Sequence, residues 1–174
     1  QQKNLYQAHQ NLVLTVAVNS PYLFGIMKRK PEWVFEFLND RSAKKLDDIL
    51  KAIKNNAFSA EHLSTTTLAE ASTYLRQQKS KIALLLAMCD VEKSFNLSVV
   101  TSGLSRFADL SLDILLCYII HDRMRRGDLH WPNDKEQAPC IDLVRNCGLT
   151  VLALGKLGGF ELNYSSDIDL IVLY

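Results

Sequence analysis

Apolar positions recur three and four residues apart through most of the first 126 residues. Over 3–19 they fall at Leu5, Ala8, Leu12, Val13 and Val16, a single helical stripe. Ser20-Pro21 then sets a capping residue before a proline at the first helical position. Asn39-Asp40 breaks the run. Over 42–54, Leu46, Ile49, Leu50 and Ile53 share one face. Ser64-Thr65-Thr66-Thr67 is a capping-type start for a helix over 68–91. The segment 102–126, "SGLSRFADLSLDILLCYIIHDRMRR", is apolar along one side and basic in its last turn, as the helix dipole favours.

This period is lost at Gly127. Residues 127–148 hold Gly127, Pro132, Pro139 and Gly148 among scattered charges and read as a loop and a boundary. Two short aliphatic runs follow, "LTVLAL" (149–154) and "DLIVLY" (169–174), and both predict strands. The pattern is therefore mainly α with a partial α/β end. It divides into a helical region over 1–126, a linker over 127–148 and the start of a second unit over 149–174.

Composition narrows the function classes. The 174 residues are 48% hydrophobic and 22% charged, enough to bury a core. A net charge of +1 gives no reason to expect a nucleic-acid or membrane partner. The run "LVLTVAV" is too short to span a bilayer, and no basic cluster precedes it as in a signal peptide. Cys89, Cys117, Cys140 and Cys147 form no Cys-x-x-Cys pair, which argues against a zinc site and fits reduced thiols in the cytoplasm. Cys89 and Cys117 lie in apolar helical runs and read as small buried hydrophobes. Lys28-Arg29-Lys30 and the cluster Arg123, Arg125, Arg126 read as solvated helix ends, with His121 and His130 as surface residues. Trp33 and Trp131 read as packing residues. No Ser/His/Asp motif is present.

The chemistry concentrates between the two strands, in "GKLGGFELNYSSDI". Asp167 and Asp169 are separated by one residue. On a strand both carboxylates would stand on one face, with Ile168 and Leu170 turned to the core. Adjacent carboxylates repel unless a cation lies between them. Mg²⁺ takes one or two carboxylates together with phosphate oxygens, so Asp-x-Asp suits phosphoryl or nucleotidyl transfer. Gly155, Gly158 and Gly159 allow close backbone approach to a ligand. Their spacing matches neither the dinucleotide fingerprint nor the Walker loop. Lys156 can reach a phosphate, and Ser165 and Ser166 can cap or donate to one. Spacing alone leaves a metal-and-phosphate site and an ordinary turn both open.

The stretch "GKLGG-ELNYSSDIDLI-LY" resembles the nucleotidyltransferase motif of the glutamine synthetase adenylyltransferase/adenylyl-removing family, which is long and specific. The segments "SPYLFGIMKRKPEWV" (20–34), "LRQQKSKIALLLAMCDV" (75–91) and "MRRGDLHWP" (124–132) are similar to the helical lead of that family. The resemblance implies the first strands of a DNA polymerase β-like nucleotidyltransferase domain. It implies Gly158 and Gly159 for the phosphate-binding turn, with Lys156 and Ser166 beside it, and Asp167 and Asp169 as catalytic ligands of Mg²⁺. It further implies glutamine synthetase as protein substrate, ATP, ADP and phosphate as small ligands, and a regulatory signalling protein as a possible partner.

The family carries two such domains. One adenylylates a tyrosine of glutamine synthetase with ATP, and the other removes the AMP by phosphorolysis to ADP. "SSDID" and the helical lead match the amino-terminal, removing half; the transferring half is the alternative. A non-catalytic helical interaction module and a nucleotidyltransferase with another acceptor are further readings. Phe160 departs from the family pattern outside the metal pair. The third carboxylate of the family's fold, from a later strand, is missing, so the expectation is an incomplete fragment, inactive or weakly active alone. The helical part is expected to fold, with the last twenty-five residues poorly supported.

Overall fold

The computed structural model describes residues 7, 9–130, 142, 144, 145 and 147–174. Among the described residues the lead holds seven helices: α1 (Gln10–Asn19), α2 (Pro21–Arg29), α3 (Pro31–Asn39), α4 (Ala43–Ala57), α5 (Ala60–Thr65), α6 (Leu68–Val91) and α7 (Leu97–Arg125). Then come β1 (Thr150–Ala153), a single helical turn α8 (Gly155–Gly158) and β2 (Leu170–Leu173). The chain is mainly helical with a small two-stranded end, as the sequence pattern predicts.

The starts are set by side-chain caps. Ser20 Oγ accepts from the Leu23 amide, 3.2 Å away, ahead of Pro21. Thr67 and Glu70 form a reciprocal capping box at the start of α6. Asn96 caps α7, which therefore begins five residues before the apolar segment that predicts it. Lys30-Pro31 divides α2 from α3, a break that the hydrophobic pattern does not signal because the stripe runs through it. The short polar helix α5 also escapes that pattern.

Helices α6 and α7 form the spine, with α1, α2, α3 and α4 laid against α6 and α4 also against α7. Ile82, Leu84, Leu85, Leu86, Met88 and Cys89 of α6 are fully or almost fully buried. Gly103 lets α7 approach closely, since a Cβ there would stand 3.0 Å from Leu46 and 3.3 Å from Leu86. Cys89 is buried and donates to the Arg41 carbonyl, and burial pushes its thiol up to about 11. It behaves as the inert hydrophobe the sequence suggests. Trp33 is half-buried, with the Lys30 and Lys81 ammoniums over its ring. Trp131 and Cys140 lie outside the described residues, as does most of the linker. His130 is exposed, whereas His121 is half-buried rather than a surface residue. The basic end of α7 is paired, Arg123 with Asp128 and Arg125 and Arg126 with Asp122.

Arg41 closes the other end of the spine. Its guanidinium grips Glu92 at 2.6 and 2.9 Å and caps the Phe37 and Leu38 carbonyls of α3. That hydrogen bond holds the Glu92 carboxyl below its ordinary value of 4.5. For Glu36, burial pushes upward, but Lys45 and Lys81 outweigh it and the carboxyl also stands low. A lowered carboxylate stabilises the fold above the unfolded pKa, and that contribution disappears as pH falls through the folded pKa. Glu92→Gln is therefore expected to lose about 1 kcal/mol at pH 7, solvent screening included. The gap to wild type should narrow as pH falls below the ordinary value of 4.5 and through the lowered folded-state value, which thermal melts in neutral and in acid buffer will show.

β1 and β2 pair antiparallel, with Thr150 opposite Leu173 and Ala153 opposite Leu170. Every residue of β2 is exposed. Ile168 and Leu170, expected in the core, are 42% and 37% exposed, and Ile168 stands at the wall of a cavity instead of against packed side chains. The end is anchored elsewhere: Leu157 and Leu162 are buried in the same core as the helices. Among the described residues no helix is long and apolar enough to cross a membrane.

Candidate functional site

The site is a short circuit from β1 through α8 and back to β2. Gly155 opens it with φ +54°, which L side chains adopt only under strain. Gly158 closes the turn against β1, where a Cβ would stand 2.4 Å from the Ala153 carbonyl oxygen. Backbone contact that tight admits only glycine. Gly159 differs: its φ is −85° and its nearest neighbour would be 3.6 Å from a Cβ. The strained position is Phe160, at φ +58°. Sequence reading groups Gly158 and Gly159 as one turn, and the backbone assigns the steric need to Gly158 and the positive φ to Gly155.

Beyond the turn the chain runs down to the aspartates through a side-chain clasp. Asn163 Oδ1 accepts from the Ser165 amide at 3.0 Å and from Ser166 Oγ at 2.7 Å. Ser166 Oγ accepts in turn from the Asn163 amide. The Ser166 hydroxyl is thus committed to shaping the loop. Asp169 is fixed from the other side, since its carbonyl accepts from the Leu154 amide at 2.9 Å. Its Oδ2 lies 3.3 Å from the point where a Gly155 Cβ would be. β2 begins one residue after Asp169, so the aspartates occupy the extended approach to the strand.

Asp167 and Asp169 are both exposed and take part in no ion pair among the described residues. Lys156 on α8 is likewise exposed and unpaired. No group of three or more His, Cys, Asp or Glu side chains converges among the described residues. Two carboxylates open to solvent suit an ion that takes its remaining ligands from water and phosphate oxygens, as Mg²⁺ does. On the helical side of the loop lies a cavity of about 750 Å³ that includes Leu75, Ala83, Phe107, Tyr164 and Ile168 in its wall. Neither aspartate lines it. Burial, with the Asp90 and Cys89 charges adding to it, holds the Tyr164 phenol well above its usual range.

The model of the glutamate-ammonia ligase adenylyltransferase family matches residues 10–174, turn and aspartates included. The chain belongs to that family. Relatives named bifunctional glutamine synthetase adenylyltransferase/adenylyl-removing enzyme include one from Bradyrhizobium diazoefficiens, 38% identical over 95% of this chain and 16% of its own. One from Bradyrhizobium sp. is 34% identical over the same shares. One from Rhodopseudomonas palustris is 34% identical over 98% of this chain and 16% of its own. The chain thus spans about 16% of the length of the curated relatives it matches. No solved structure matches it.

Two features of this loop escape sequence reasoning. Asn163, which organises the loop, lies within the motif, but its residue type and spacing assign it no role. Ser105 contacts the loop from 57 residues away. The one available signal for it is a small polar residue inside the apolar run of α7.

Proposed function

We propose that this segment forms the phosphate- and metal-binding edge of a nucleotidyltransferase site acting on glutamine synthetase. Its reaction in this reading is removal of AMP from an adenylylated tyrosine by phosphorolysis. A phosphate oxygen attacks the phosphorus of the AMP–tyrosine link, the bond from phosphorus to the tyrosine oxygen breaks, and ADP and tyrosine are the products. Membership of the family over residues 10–174 carries this reading. "SSDID" and the helical lead favour the removing half.

Each residue has a task. Asp167 and Asp169 hold Mg²⁺, which supplies charge compensation to phosphate oxygens when bound. Gly158 lets the turn close onto β1, and with Gly159 it leaves backbone room for phosphate. Lys156 meets phosphate charge from α8. Ser166 keeps the aspartate loop in shape through Asn163. The setting is the cytoplasm, where glutamine synthetase, ATP, ADP and phosphate meet, with a signalling protein as regulator.

The assay is ADP release from adenylylated glutamine synthetase supplied with phosphate and Mg²⁺. It compares the 174-residue chain with a polypeptide of the relatives' length that carries it. ADP is expected from the longer protein, and little from the chain alone. AMP transfer from ATP to unmodified glutamine synthetase, with no ADP released in the first assay, would assign the segment to the transferring half. Silence in both would leave a helical interaction module.

A further inference from the structure

Ser105 is fully buried and is the one polar residue of the core among the described residues. Its hydroxyl donates to the Thr101 carbonyl at 2.9 Å and accepts from the Leu162 amide at 3.3 Å. Among the described residues, this second bond is the one hydrogen bond that joins the helices to residues 150–174. It falls at a strategic point. Leu162 is itself buried, and the Asn163 clasp begins at the next residue. The clasp hands over to Asp167, and Asp169 is pinned to Leu154 from the opposite side. The aspartate loop therefore has two anchors, one at Leu154 just past β1 and one on the middle of α7.

We propose that Ser105 is a positioning residue, which fixes the aspartate pair by holding the Leu162 amide. The proposal rests on the reading of Asp167 and Asp169 as metal ligands, but the tether itself can be measured without it. A buried amide without its acceptor opens more readily, and every residue between it and the next anchor gains freedom. The bond also seats the loop against a 29-residue helix that reaches across the bundle, so loop placement follows helix placement.

The test uses amide hydrogen exchange and Mn²⁺ titration on the chain with Ser105→Ala and Ser105→Cys. Cysteine keeps the size and is a weak acceptor. Exchange over residues 161–167 is expected to rise about tenfold or more in Ser105→Ala, and less in Ser105→Cys, with α6 protection unchanged. Mn²⁺ affinity is expected to fall in the same order. Unchanged exchange over 161–167 in Ser105→Ala would overturn the proposal. So would raised exchange with wild-type Mn²⁺ affinity, since the tether would then position nothing. Failure of wild-type chain to bind Mn²⁺ would sink the metal-ligand reading, and with it the positioning role, while the exchange data would still report the tether. If Ser105→Ala does not fold, Ser105→Cys decides by the same two readouts.

Discussion

Asp169→Asn is expected to lower nucleotidyl turnover about 10²–10³-fold in a polypeptide of the relatives' length, and to weaken Mn²⁺ binding to the chain itself. Asn has the same shape, so the 2.9 Å bond from Leu154 to the residue 169 carbonyl is retained. What disappears is one negative charge of an exposed pair that has no cationic partner among the described residues. Stability should therefore move the other way. Two carboxylates one residue apart repel each other, and removing one charge relieves that repulsion. The melting temperature should stay level or rise slightly while metal affinity falls. A variant that loses turnover and also melts early would show that Asp169 serves the fold instead. Asp167→Asn should repeat the pattern.

The largest effect on stability is expected at Gly158. A methyl group there meets the Ala153 carbonyl oxygen at 2.4 Å and the carbonyl carbon at 3.1 Å, both backbone atoms that cannot swing aside. β1 or α8 must shift, and Leu157, 1% exposed, is dragged from the core with it. Gly158→Ala should cost about 2–4 kcal/mol. At the neighbouring Gly159 a Cβ would make only ordinary contacts, 3.6 Å from the Gly155 carbonyl oxygen, at an ordinary φ, so Gly159→Ala should change stability by less than about 0.5 kcal/mol. Urea unfolding of the two variants side by side gives a clear contrast. Equal costs would mean that the turn relaxes as a unit and that the contact with Ala153 is not what demands glycine.

These two residues also show what the sequence makes legible. The Asp-x-Asp pair can be read directly, because its chemistry lies in spacing and residue type. The helices over 43–57 and 68–91 can be read for a similar reason: Leu46, Ile49, Leu50 and Ile53 mark a face, and Thr67 with Glu70 marks a start. The unequal roles of Gly158 and Gly159 cannot be read, since both are glycine and only the position of the Ala153 carbonyl separates them. Ile168 and Leu170 mislead for a complementary reason. Alternation says which residues share a face but not whether anything covers it. Ser105 is hidden by distance, because its partner is 57 residues further along the chain.

The burial of Leu157 and Leu162 among helical side chains bears on engineering. Residues 149–174 resemble a cassette: a strand, a glycine turn, two acids and a strand. Two strands alone are marginal in water, and both anchoring leucines are buried in the core they share with the helices. Cutting the cassette out and grafting it onto another scaffold would move the carboxylates without their seat. A working transplant has to carry the mid-section of α7 along with it.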